Sequence, residues 1–205
     1  MHETLIENRT TNKVKNSEIR IIHKSLEDRR DSALERNVRI LQKELESQGN
    51  SPDPRTMFYL AACYMDMAAY NDAEELYTLY LKLSGWNEER AQAWCQIASI
   101  HRKNKDNKEA MQCYLQAIEE DPESREAYIA IAEMYLLEEK FEKAITWSEI
   151  GMQRPDKESM TIQNPLSVTY RPLLIYAEAQ FNLGNIDKAL QAVKKAQTYR
   201  NDDLT

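Results

Sequence analysis

Apolar and small residues recur along this chain with helical spacing, and the pattern itself repeats. Between residues 57 and 77 stand Met57, Leu60-Ala61, Tyr64, Tyr70, Ala73 and Tyr77. The next stretch has Trp94, Ile97-Ala98, His101, Ala110, Tyr114 and Ala117, closed by Pro122. A third has Tyr128, Ile131-Ala132, Tyr135, Phe141 and Ala144, and a fourth has Leu173, Tyr176-Ala177, Ile186, Ala189, Val193 and Ala196. Steps of three and four residues put each set on one face of an α-helix. The break near the middle of each set divides it into two helices. Ala73, Ala110, Ala144 and Ala189 are equivalent positions. A small residue held there means that paired helices approach too closely for a longer side chain.

A helix-turn-helix unit of about 34 residues with this alternation of small and large positions resembles the tetratricopeptide repeat. The resemblance covers about residues 53–199. It implies an all-α fold, a right-handed α-solenoid, and a chain that binds rather than catalyses. The expected units are a helix at 31–47 and repeats at about 53–86, 88–121, 124–152 and 170–199. Residues 1–30 are expected to be a β-like or disordered remnant, and 200–205 a tail.

Punctuation supports these bounds. Asp53 is an expected N-cap with Pro54 at the first helical position, where a missing N–H costs nothing. Ser32, with Glu35 three residues on, has capping-box spacing, and Gly49 is placed to end that helix. Gly85 suits a left-handed helix end and Asn87 an N-cap. Pro122 cannot continue a helix. Residues 152–169 form a longer, Pro-punctuated connection. Ser17 to Ser25, with Ile19, Ile21 and Ile22, reads as a strand or a short helix.

Composition narrows the function. The chain has 205 residues, four Gly, six Pro and a formal net charge of −7. Residues 47–205 carry 17 Lys/Arg against 25 Asp/Glu. An acidic array opposes binding to nucleic-acid phosphates, so no nucleic-acid partner is expected. No apolar run approaches the roughly 20 residues of a membrane span, and no membrane insertion is expected. The three cysteines, Cys63, Cys95 and Cys113, read as small core residues of a reduced, cytoplasmic protein. With histidines only at 2, 23 and 101, no metal site, cofactor or catalytic constellation is expected. His101 reads as a helix-packing residue.

The expected binding surface is the concave face lined by the first helix of each unit. Its candidate residues are Arg55, Phe58 and Met65 in the first unit and Gln92, Arg102 and Lys103 in the second. Glu126 and Ile129 follow in the third, and Arg171, Leu174 and Phe181 in the fourth. Glu133, Leu137 and Glu178 line the same face. The groove mixes apolar anchors with both charges. It lacks the Lys/Asn/Arg clamp with which some such domains hold C-terminal carboxylates, because Phe58 and Ala62 stand where that clamp needs Lys and Asn.

A narrower resemblance lies at the joints. Asp53-Pro54-Arg55-Thr56-Met57-Phe58-Tyr59-Leu60-Ala61 is similar to the repeat region that follows the catalytic domain of some family 2 glycosyltransferases. So are Leu83-Ser84-Gly85-Trp86-Asn87-Glu88-Glu89, Ala144-Ile145-Thr146-Trp147 and Tyr170-Arg171-Pro172-Leu173-Leu174. Arg36-Asn37-Val38-Arg39-Ile40-Leu41 resembles the helix that opens the array in those proteins. In that family the GT-A domain closes with a His-Glu pair and a β segment ending in Ile-x-His. His2-Glu3 and Ile21-Ile22-His23 match those features. The resemblance implies that the chain starts at the end of a catalytic domain, with His2 and Glu3 its remnants. The Asp-x-Asp motif that holds metal and sugar-nucleotide is absent, so no activity is expected of this chain. Two readings follow: the non-catalytic C-terminal part of such an enzyme acting in surface glycan or glycoprotein synthesis, or a stand-alone adaptor. The expected partner is a protein or peptide segment, the missing catalytic domain included, or a second copy in a homo-oligomer.

Overall fold

A computed structural model describes residues 27–49, 51–154 and 165–201. Among them are nine helices and no strand. They are α1 (Glu27–Gln48), α2 (Pro54–Asp66), α3 (Tyr70–Leu83), α4 (Asn87–Lys103) and α5 (Asn107–Glu120). The rest are α6 (Arg125–Leu137), α7 (Phe141–Gln153), α8 (Pro165–Asn182) and α9 (Ile186–Asn201). Helices α2/α3, α4/α5, α6/α7 and α8/α9 pack as antiparallel pairs, and each pair stacks on the next through its second helix. α1 packs on α2 as the second helix of an earlier unit would. This is the expected all-α solenoid.

The alanines explain the close stacking. Ala61, Ala73, Ala98, Ala110, Ala117, Ala132 and Ala144 are fully buried. Larger residues fill the remaining space: Phe58 packs against Tyr77 and Tyr80, with ring centroids 5.5 and 5.2 Å apart. Cys95, Ile97 and Ile100 of α4 join the same core. Beneath the α3–α4 joint the Tyr80 hydroxyl donates to the buried Glu89 carboxylate at 2.7 Å, and Ser84 Oγ donates to Tyr80 at 2.8 Å. Arg90 ties that joint to the end of α5, donating to the Ser84 carbonyl at 2.9 Å and to Glu120 at 2.5 Å.

One turn geometry joins the two helices of every pair. Ala68, Lys105, Glu139 and Gly184 all have positive φ, between 57° and 79°. The next residue's N–H then donates to the carbonyl five residues back: Ala69 to Tyr64, Asp106 to His101, Lys140 to Tyr135 and Asn185 to Gln180, each at 2.9 Å. This is the six-to-one bond of a Schellman ending, which satisfies a carbonyl that the helix leaves open.

Several boundaries differ from expectation. α1 begins at Glu27, so residues 27–30 are helical and Ser32 lies inside the helix instead of capping it. α8 begins at Pro165 and carries Pro172 within it. Pro172 and Leu173 are buried, so packing against neighbours holds the segment helical despite the lost hydrogen bond. Gly85 is not left-handed, because Ser84 ends α3 in an extended conformation. The N-cap of α4 is Trp86, not Asn87, and it makes no side-chain cap bond. Asp53 does cap α2, accepting from Arg55 N at 3.0 Å, and Gly49 takes φ 58° after α1. His2, Glu3, the Ile21-Ile22-His23 segment and the rest of the expected strand lie outside the described residues.

Candidate functional site

The first helices of successive units meet across the inner face through one carboxylate. Glu133 projects from the middle of α6. Its Oε2 accepts from Arg102 Nη1 of α4 at 2.7 Å, and its Oε1 accepts from Arg171 Nη2 of α8. Two residues 31 and 38 positions away in sequence therefore share one acidic group. Burial works against the charged carboxylate, but the hydrogen bonds from Arg171 and Arg102 outweigh it, and the Glu133 pKa lies below its ordinary value. Burial also works against the Arg102 charge; Glu133 and Tyr114 outweigh it and hold the guanidinium protonated.

Glu126 lies two turns earlier on α6 and is solvent-exposed. The surrounding protein raises its pKa, with Arg171 opposing. Its charge reaches the buried phenols of Tyr77 and Tyr114 and the thiol of Cys95. The Tyr114 hydroxyl is pushed up to about 12, first by burial. On the same helices, Leu137 at the end of α6 is 71% exposed and Phe181 at the end of α8 is 62% exposed. Glu178, Lys103 and Arg171 are also exposed.

The candidate residues divide into two groups. Arg171, Lys103, Glu126 and Phe181 present side chains at the surface, and Arg102, Met65, Gln92 and Leu174 are half-buried. Phe58 and Ile129 are corrected: at 6% and 3% exposure they belong to the packing between helices. Phe58 is taken by Tyr77 and Tyr80, and Ile129 joins Ala144, Ile175 and Ala179 where α6, α7 and α8 meet. Arg55 is exposed, but its guanidinium stands over the rings of Trp86 at 5.6 Å and Tyr59 at 5.9 Å, so it braces the α3–α4 joint. Lys103 Nζ stands 5.1 Å from the Tyr70 ring. His101 Nε2 lies 3.6 Å from Glu74, between α4 and α3, in a packing position.

Sequence reasoning placed Glu133 on this face without recognising it as the shared acceptor. The signal was present: when units are aligned, an acidic ninth position falls between a basic twelfth position one unit back and a basic second position one unit on. Among the described residues no group of three His, Cys, Asp or Glu is placed to hold a metal ion. No helix among them is long and apolar enough to cross a membrane.

Comparison with known proteins agrees with this architecture. A tetratricopeptide repeat model matches residues 91–124, which span α4 and α5. No curated protein matches by sequence. Among solved structures, a crystal structure of MamA is similar with a TM-score of 0.63 and 20% identity, over 89% of this chain and 99% of that one. BtubC from P. vanneervenii is similar with a TM-score of 0.68 and 17% identity, over 85% and 76%. The C-terminal part of a TPR repeat-containing protein from Cytophaga hutchinsonii gives 0.60 and 19%, over 81% and 61%. At these identities the likeness is one of fold.

Proposed function

We propose that this tetratricopeptide-repeat solenoid is a protein-interaction scaffold whose inner face takes an extended segment of a partner protein. The observation that carries the reading is the Arg102–Glu133–Arg171 bridge, with Leu137 and Phe181 open at the ends of two of the helices it joins. The bridge fixes three first helices relative to one another before any partner arrives, so less ordering remains for binding to bring about. The exposed apolar side chains supply anchors, and Glu126, Glu178, Lys103 and the outer edge of Arg171 supply charge matching. The chain contributes no sugar transfer of its own.

The test is binding of a panel of extended peptides spanning partner chemistries, measured with the wild-type chain and with Phe181→Ala and Arg171→Ala. Phe181 is exposed and outside the bridge, so Phe181→Ala should leave the melting temperature within a few degrees, whereas Arg171→Ala also opens the bridge and should lower it; affinity should fall roughly tenfold or more in both. Unchanged affinity in both variants would remove the groove from the reading.

The finer reading makes this scaffold the non-catalytic C-terminal region of a family 2 glycosyltransferase. Its support is sequence alone: His2-Glu3, Ile21-Ile22-His23 and the joint motifs occur in the expected order. A cytoplasmic setting fits the three free thiols. An in-frame GT-A domain with an Asp-x-Asp strand end encoded upstream of Met1 is the expected finding. An intact gene beginning at Met1 would favour the stand-alone adaptor.

A further inference from the structure

The last helix, α9, buries one face and leaves a second apolar stripe open. Ala189, Ala192 and Ala196 are buried on the face toward α8. Ile186, Leu190 and Val193, at i, i+4 and i+7, form the adjacent stripe, and they are 53%, 52% and 36% exposed. Aligned on the equivalent alanines, Val193 corresponds to Tyr77, Tyr114 and Ser148, which are 1%, 4% and 0% exposed. Leu190 corresponds to Met111 and Ile145, both packed against the core. In the earlier units the Val193 position is buried every time, and Tyr70, Met111, Phe141 and Ile145 pack against the core at the other two positions, where only Glu74 and Asn107 are polar. On α9 all three positions are apolar and exposed.

From this surface we propose that α9 pairs antiparallel with α9 of a second copy of this chain. Charge selects that occupant. At about 100° per residue, Asp187 and Lys194 lie within about 20° of each other on one edge of the stripe. They lie three residues before and four residues after Leu190, and both are exposed. A two-fold axis through the stripe keeps that edge on the same side in both copies and reverses helix direction. Asp187 of each copy then meets Lys194 of the other, giving two identical ion pairs that flank the joined Ile186, Leu190 and Val193. Such a contact is isologous and closes on itself. The opposite end of the solenoid offers no matching surface. The outer side of α1 exposes Glu35, Arg36, Arg39, Lys43 and Glu44, with Ile40 as its one exposed large apolar residue among those described. Head-to-tail stacking would set the apolar stripe against charge.

Sedimentation equilibrium on the full 205-residue chain tests this pairing. A concentration-dependent dimer is expected, and Leu190→Glu should leave a monomer with unchanged helical circular dichroism. Asp187→Lys alone and Lys194→Asp alone should each weaken the dimer roughly tenfold, because each puts two like-charge contacts at the interface. The double variant Asp187→Lys/Lys194→Asp should recover the wild-type dissociation constant, since the pairs re-form with signs exchanged. A monomer at all concentrations would overturn the proposal, including one whose α9 amides are protected because another segment of the same chain covers the stripe. So would a dimer that tolerates Leu190→Glu, or a double variant no better than its parents.

Discussion

Glu126 and Glu133 stand two turns apart on α6, and the protein shifts their carboxyls in opposite directions. Glu133 is held by two guanidinium groups, whereas Glu126, whose surroundings disfavour its charge, has only the more distant Arg171 in its favour. The sign of each shift sets its pH dependence. Glu133 has a folded pKa below its unfolded value near 4.3. Its contribution is fully present above that value and is lost as pH falls through the folded pKa. Glu126 has the reverse sign, and its ionised form opposes folding above its raised pKa. Glu133→Gln should therefore lower the melting temperature at pH 7 and flatten the acid limb of the stability profile below about pH 4. Glu126→Gln should raise it slightly at pH 7 and have no effect at low pH. Thermal melts from pH 3 to 7 would show both; equal responses would contradict the assigned geometry.

Tyr80→Phe should be costly out of proportion to the one oxygen it removes. The hydroxyl is the donor to Glu89, a carboxylate only 4% exposed, and the acceptor from Ser84. Its loss leaves a buried acceptor short of a partner, which costs about 1–3 kcal/mol. Urea unfolding of the two proteins measures this. A difference under about 0.5 kcal/mol would mean that water replaces the hydroxyl.

The α6–α7 contact tests the packing. A Cβ on Gly151 would lie 3.2 Å from Tyr128 Cβ and 3.3 Å from Ile129 Cγ1. Both neighbours are buried and close to backbone, so they yield little. Gly151→Ala gains about 1 kcal/mol of helix propensity, and overpacking opposes it by about 1–3 kcal/mol. A net loss of stability is expected. Ser148, one turn earlier, has a buried hydroxyl with no partner, and Ser148→Ala should be neutral or stabilising. Ala110→Leu, at a fully buried site between α4 and α5, should cost about 1–3 kcal/mol.

The left-handed turns offer a gain. Lys105 and Glu139 are exposed and hold φ values of 66° and 57° that side chains disfavour. Lys105→Gly and Glu139→Gly should each stabilise by about 0.5–1 kcal/mol, the left-handed cost of roughly 1–2 less the added flexibility of the unfolded chain. Destabilisation of both would show that these side chains hold the turns through contacts of their own.

Cysteine chemistry should be slow. Burial pushes the Cys113 thiol up to about 11, and it raises Cys95 and Cys63 as well. Few thiolates exist at neutral pH, and iodoacetamide should label the folded chain far more slowly than the urea-unfolded chain. Equal rates would contradict the burial of Cys95 and Cys113.

Sequence alone determined the repeating helix pairs, the small positions Ala73, Ala110, Ala144 and Ala189 and the Asp53–Pro54 cap. These are local or periodic features: helical spacing and the steric limit at a close crossing are written into each unit. None of the four hairpin turns was read from the sequence: Ala68, Lys105 and Glu139 take positive φ without the glycine that marks the same turn at Gly184. Tertiary structure alone decided that Phe58 and Ile129 pack inward while Leu137 and Phe181 stay open. Position within a unit does not fix exposure; the size of the neighbours supplied by adjoining helices does. It also decided that Glu133 joins Arg102 and Arg171. That bond depends on how far each unit is rotated against the next, a quantity set by the summed packing of all the pairs and carried by no single residue.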